Sequence, residues 1–283
     1  MGGEEITAET KDPRFRRVYN LVEEVSLAAT TPMPRVFVLR HETGINAFAA
    51  GSGPGNAVVA VTHGAVSCFD RDELAGVIAH EIAHIRNRDV ALNIRALAMI
   101  HGLMALSVLG TTVLRGTFYN RAFGRNRNSD ARSMLVMMAI GLTLVLAGFL
   151  GSLMGRILQS ALSREREYLA DASAVSYTGN PRALGGALEK ILLVQNGEGN
   201  TVRAAVSEEA QHMMFTPSSR NLVSRLFATH PPLPRRIRRL NPEFSLNRLA
   251  ERHRDKRNMA REARQKQREG QGPWDRTPGQ TDA

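Results

Sequence analysis

The 283-residue chain is poor in cysteine, in aromatic side chains and in acidic charge. Each shortage excludes something. A single cysteine, Cys68, rules out a disulfide within the chain and leaves any metal ion to nitrogen and oxygen donors. At 5% Phe, Trp and Tyr there is no stacking platform for nucleic-acid bases. The 37 Lys and Arg outweigh the 27 Asp and Glu, yet half of the +10 surplus sits between Arg248 and Glu269, where nine basic residues meet four acidic ones. The positive charge is therefore largely a property of the tail, and no nucleic-acid partner is expected. Met1 to Arg17 is polar and charged, so no secretory leader is expected at this end.

Apolar residues, by contrast, are plentiful at 43%, and they are distributed unevenly. Phe15, Val18, Leu21, Val22 and Val25 recur at helical spacing. Two prolines in "TPMPRVFVLR" then break the helix ahead of a short strand at Val36 to Leu39. "GINAFAAGSGPGNAVVAVTHGAV" reads as a strand, a Gly/Pro turn and a β-branched strand at Val58 to Thr62, which predicts a small sheet of about three strands. Asp70 followed by Glu73 has the spacing of a capping box and predicts a helix beginning near Arg71.

Two stretches are far more apolar than the rest. Ala96 to Leu114 carries no charge and only His101 as a titratable group, and Met134 to Gly155 carries no charge at all. Each reaches the length of about 20 residues that crosses a bilayer core. Gly141, Gly148, Gly151 and Gly155 line one side of the second run and suit close helix–helix packing. The pattern predicts a transmembrane hairpin with a basic, polar linker, and the lipid bilayer as a partner. Charge does not orient it: six arginines flank the open end (Arg86, Arg88, Arg95, Arg156, Arg164, Arg166) and five the linker end (Arg115, Arg121, Arg125, Arg127, Arg132). The basic tail tips the balance toward a cytoplasmic open end.

The chemistry sits just ahead of the first run, in "GVIAHEIAHIRNRDV". On a helix His80 and His84 lie one turn apart on one face and can offer ring nitrogens to a single ion. Glu81, one step round, stays out of the ligand set and near the water that such an ion activates, where a carboxylate can act as general base. A zinc site of this kind needs a third ligand, and "SREREYLADASA" offers Glu165 and Glu167. Only Glu167 has a carboxylate, Asp171, one turn away on its own face, where it can take the far N–H of a ligating histidine. On the residues alone, the histidines also read as two partly buried imidazoles, and "REREY" as a solvated charge run.

The segments "HEIAH", "SREREYLAD", "NAFAAG" and "THPPLPRRI" around a membrane hairpin resemble the HtpX-like zinc metallopeptidases, gluzincins that include the CaaX prenyl endopeptidases. The similarity runs from about Arg17 to Leu240. It implies one zinc ion on His80, His84 and Glu167, Glu81 as catalytic acid/base, and Asp171 behind a ligating histidine, His80. It implies further that "NAFAAG" is the edge strand to which an extended substrate pairs through the backbone of Ala47 and Ala49, with Phe48 between them in the substrate-binding strand and a side-chain hydrogen bond from Asn46. His230 and Arg236 resemble positions near the scissile carbonyl, where either could stabilise the oxyanion. Proteins of this kind usually carry transmembrane helices ahead of the catalytic domain, whereas this chain opens almost directly with "EEITAET".

The expected architecture is α+β: a zincin-like catalytic domain with a small sheet and an HExxH helix, interrupted by a transmembrane helical hairpin. Residues 1–94 form its first part, 95–156 the hairpin, 157–245 the second part with the glutamate ligand, and 246–283 a basic, disordered tail. The expected activity is zinc-dependent hydrolysis of polypeptides, membrane proteins among them, in quality control under stress. The expected location is a bacterial inner membrane with the catalytic domain facing the cytoplasm. The alternative from another class is a metal-stabilised chaperone or assembly factor.

Overall fold

A computed structural model describes residues 2–51, 53–122, 131–195 and 231–245, together with residue 251. The chain is mostly helical around one small mixed sheet. Helix α1 (Pro13–Ala28) begins where Asp12 accepts the backbone N–H of Arg14 and Pro13 supplies a pre-set φ. Its buried stripe is the one the periodicity picks out, Phe15, Val18, Leu21, Val22 and Val25. Strands β2 (Arg35–Leu39) and β4 (Ala57–Thr62) pair in parallel, and β3 (Ala47–Gly51) pairs antiparallel to β4. The sheet has a fourth strand where pattern suggested three. β1 (Glu4–Ile6) adds antiparallel to β2, giving the order β1-β2-β4-β3. Three residues are too few to show an alternation, and β1 is held by cross-strand ion pairs, Glu5 with Arg35 at 2.8 Å and Glu4 with Arg40.

Thr62 ends β4 and starts helix α2 (His63–Cys68), its hydroxyl capping the N–H of Ala65. Helix α3 (Arg71–Arg86) follows, with the predicted capping box in place: Asp70 Oδ1 accepts from Glu73 N and Glu73 Oε2 from Asp70 N, both at 2.9 Å. Twelve of its 16 residues are buried. At Gly76 the backbone of helix α6 (Pro181–Gln195) comes so close that a Cβ would stand 2.5 Å from Leu184 N. Only glycine admits that approach.

Helices α4 (Asp89–Ala122) and α5 (Ala131–Thr178) form a long antiparallel pair. Both are long and apolar enough to cross a membrane. The glycines of the second run face α4: a side chain at Gly148 would run into Ser107 and the Leu103 carbonyl, and one at Gly155 into Ile100. Two features of the pair go beyond the sequence pattern. α5 does not stop at the end of its apolar run but continues as one 48-residue helix, about 72 Å long, through Glu167 and Asp171. At the other end α4 begins only three residues after α3 ends, through a turn in which Arg88 takes a left-handed φ of 56°. Helix α7 (Leu233–Leu240) packs on α6 and α5 and delivers Arg236 to the interior.

Candidate metal centre

His80 and His84 leave α3 on one face, as the i, i+4 spacing requires, with their ring planes 89° apart. Each imidazole commits its Nδ1 to a carboxylate. His80 Nδ1 lies 3.0 Å from Asp171 Oδ1, and His84 Nδ1 lies 2.7 Å from Asp89 Oδ2. An ionised carboxylate only accepts, so each Nδ1 carries a proton, and Nε2 is the ring nitrogen each histidine has left to offer a metal. The two Nε2 atoms then face one another at 3.1 Å. Glu167, from α5, completes the group, with Oε2 at 3.5 Å from His80 Nε2 and Oε1 at 3.7 Å from His84 Nε2.

These residues fit a zinc ion. Ligands about 2.0–2.1 Å from one tetrahedral centre stand roughly 3.3 Å apart, and the three separations bracket that value. Two imidazole nitrogens and one carboxylate oxygen are a borderline-hard donor set that suits zinc, and the three donor atoms lie within 4.8 Å of one another. Two ring nitrogens facing one another at this distance are favourable only with a proton or a cation between them.

The electrostatics follow from burial. Glu81 is 6% exposed, and burial lifts its carboxyl above the ordinary carboxylate range; the charges of His80 and His84 and the backbone N–H of Ala49 pull the other way. The His80 imidazole is pushed down by burial and by the Arg236 cation. The carboxylates of Asp171 and Glu167 more than offset both and raise it to about 9. Arg236, 1% exposed, donates to Asp171 through Nε at 2.8 Å and Nη2 at 2.5 Å and pairs with Glu167 Oε2 through Nη1 at 2.8 Å. Pairing two buried carboxylates with one buried guanidinium offsets part of the cost of burying all three.

The edge strand β3 lies against α3. Asn46 O accepts from Thr62 N at 3.0 Å, so the alternation of the antiparallel ladder turns Phe48 toward β4 and the N–H and C=O groups of Ala47 and Ala49 away from it. Among the described residues no strand pairs with that outer edge. The contact between the Ala49 N–H and Glu81 fits the same parity. Asn46 Oδ1 is buried without a hydrogen-bond partner among the described residues.

The profile of peptidase family M48 matches residues 12–243. The chain belongs to peptidase family M48. It is 42% identical over 221 residues to a Protease HtpX homolog of Dictyoglomus turgidum, covering 78% of this chain and 67% of that protein. Over 224 residues it is 39% identical to a Protease HtpX homolog of Thermoanaerobacter pseudethanolicus, covering 79% and 70%. Among solved structures, the crystal structure of S. mikatae Ste24p is similar at 17% identity and a TM-score of 0.49; the match covers 84% of this chain and 52% of that one. Membership of M48 makes the chain a metallopeptidase, a hydrolase of peptide bonds, and its two long apolar helices make it a membrane-associated one.

Every described candidate residue lies inside the M48 match. His80, Glu81, His84, Glu167 and Asp171 converge on one point. Arg236 is also there, placed behind the carboxylates of Glu167 and Asp171. His230 lies outside the described residues. Glu165, two positions from Glu167, is exposed. Sequence reasoning missed Asp89 and its partner Arg166, whose Nη1 lies 2.7 Å from Asp89 Oδ1. Projected along α3, a residue five positions after His84 falls off the histidine face. Only the left-handed turn at Arg88 returns it to the ring.

Proposed function

We propose that the chain is a membrane-anchored zinc endopeptidase acting on polypeptides, membrane proteins among them, in protein quality control. The single observation that carries the reading is the pair of Nε2 atoms held 3.1 Å apart beside Glu167, with Glu81 one residue along the helix and against an open strand edge. His80, His84 and Glu167 would hold one zinc ion, which when bound polarises the scissile carbonyl and acidifies its attacking water. Glu81 takes the water's proton at its carboxylate and hands it to the leaving amine. The outer edge of β3 holds the substrate extended, through the N–H and C=O groups of Ala47 and Ala49, with Phe48 in the strand between them and Asn46 beside it. Asp171 keeps the His80 proton on Nδ1, and Arg236 fixes Asp171 and Glu167 in place.

The apolar runs within residues 95–156 would lie in the bilayer and leave residues 1–94 and 157–245 as one catalytic unit on one side of it. We place that side in the cytoplasm of a bacterial cell, because the basic stretch after Arg248 is on the same side and favours an anionic leaflet. A metal-stabilised chaperone or assembly factor would use the ligands but has no need of a buried glutamate beside them. The test is metal analysis of the purified protein together with a casein-type cleavage assay. One zinc per chain and cleavage abolished by chelator, then restored by zinc, support the reading. Chelator-resistant cleavage, or zinc without any cleavage, overturns it.

A further inference from the structure

We infer that Asp89 is a positioning residue for the ligand His84, held in turn by Arg166 at the base of the hairpin. The inference rests on the zinc reading above and adds to it a residue outside the HExxH and glutamate segments. Both oxygens of Asp89 are committed: Oδ2 takes the Nδ1–H of His84 at 2.7 Å, and Oδ1 takes Nη1 of Arg166 at 2.7 Å. Asp89 is 7% exposed and sits in the first turn of α4, where an acidic side chain also favours the helix dipole. The dipole alone does not explain the geometry, since it needs neither oxygen placed on an imidazole.

The site contains its own control. His80 is backed by Asp171, and Asp171 by Arg236. His84 is backed by Asp89, and Asp89 by Arg166. The same three-residue relay occurs twice, once through α7 and once through the root of the hairpin. A carboxylate on the far ring nitrogen fixes the tautomer that leaves Nε2 free for metal and makes that nitrogen more basic. Asp89 opens α4 and Arg166 lies beside Glu167 on α5, so the pair closes the base of the two long helices against His84.

The test measures zinc affinity of the full-length protein by competition with a chromophoric chelator, and the visible spectrum of the cobalt-substituted protein. Asp89→Ala is expected to weaken zinc by about 10–100-fold and to change the cobalt spectrum. Asp89→Asn, whose amide oxygen can still accept from Nδ1, should recover part of that loss. Arg166→Gln should act in the same direction as Asp89→Ala and less. A purely structural Asp89 would lower the thermal stability of the metal-free protein and leave zinc affinity and cobalt spectrum unchanged in all three variants, which would overturn the inference. If Asp89→Ala fails to fold, unchanged affinity in both Asp89→Asn and Arg166→Gln overturns it equally. Wild-type protein that takes up no zinc would sink the zinc reading itself, a result distinct from a zinc-binding wild type matched by its variants.

Discussion

Helix α3 and the α4–α5 hairpin are built from similar apolar residues and meet opposite surroundings. α3 buries 12 of 16 residues, including Glu81 and His80, under the sheet, α1 and α6. The most apolar windows of α4 and α5 are each only 11% buried, and Val108, Leu109, Leu135 and Phe149 are more than half exposed. In water, that much unburied aliphatic surface is an aggregation hazard. In a bilayer it costs nothing. The difference shows that hydrophobicity alone does not separate core from span; length without charge does. It also shows how closely the two regions are joined, since the hairpin helices themselves carry Asp89, Arg166, Glu167 and Asp171 to the histidines of α3.

Breaking the site from the hairpin side should have the largest effect. Glu167→Ala removes a ligand supplied by α5, so zinc and cleavage are both expected to fall below detection, as read by metal analysis and peptide turnover. Zinc retained at one per chain would remove Glu167 from the ligand set. The exposed apolar face gives the next test. Phe149→Lys is a surface change worth less than about 0.5 kcal/mol if the helix faces water. At the centre of a bilayer the lysine costs about 2.5–3.5 kcal/mol. The variant is therefore expected to lose most of its carbonate-resistant membrane fraction, and unchanged fractionation would argue for a water-facing helix.

The strand edge separates binding from metal. Ala49→Pro removes the N–H that β3 turns outward, which also touches Glu81, and should cut peptide turnover about tenfold or more, the size of one lost buried hydrogen bond, with zinc content intact. Equal turnover would show that the substrate pairs elsewhere. A smaller, graded effect is expected with pH. Without metal, His80 holds its proton up to about pH 9, so zinc must displace it. The apparent affinity should then fall as pH falls, by about tenfold per pH unit between pH 6 and 8, with about one proton released per zinc in titration calorimetry. Affinity flat across that range would mean His80 is already neutral.

Much of this arrangement is legible in the sequence. Asp70 and Glu73 announce the start of α3, and the i, i+4 histidines its functional face. Glu167 stands out from Glu165 because Asp171 lies one turn beyond it. Other features depend on the path of the chain and leave no periodic signal. β1 is three residues held by salt bridges. The unbroken run of α5 crosses from apolar to charged composition, which reads as a boundary in sequence and is none in structure. Asp89 reaches His84 only because Arg88 adopts a left-handed turn. Arg236 arrives from a separate short helix, and its burial beside two carboxylates follows from tertiary packing alone.

The central claim is that Glu81 does chemistry at a metal it does not hold. Glu81→Gln keeps the size and polarity of the side chain and removes its ability to take a proton. Zinc content and peptide turnover should be measured on wild type and variant in one preparation series. The expected result is one zinc per chain in both, with cleavage in the variant lower by about 10²–10⁴-fold. Zinc lost from the variant, or cleavage equal to wild type with zinc in place, would contradict the role assigned to Glu81 and the peptidase mechanism built on it.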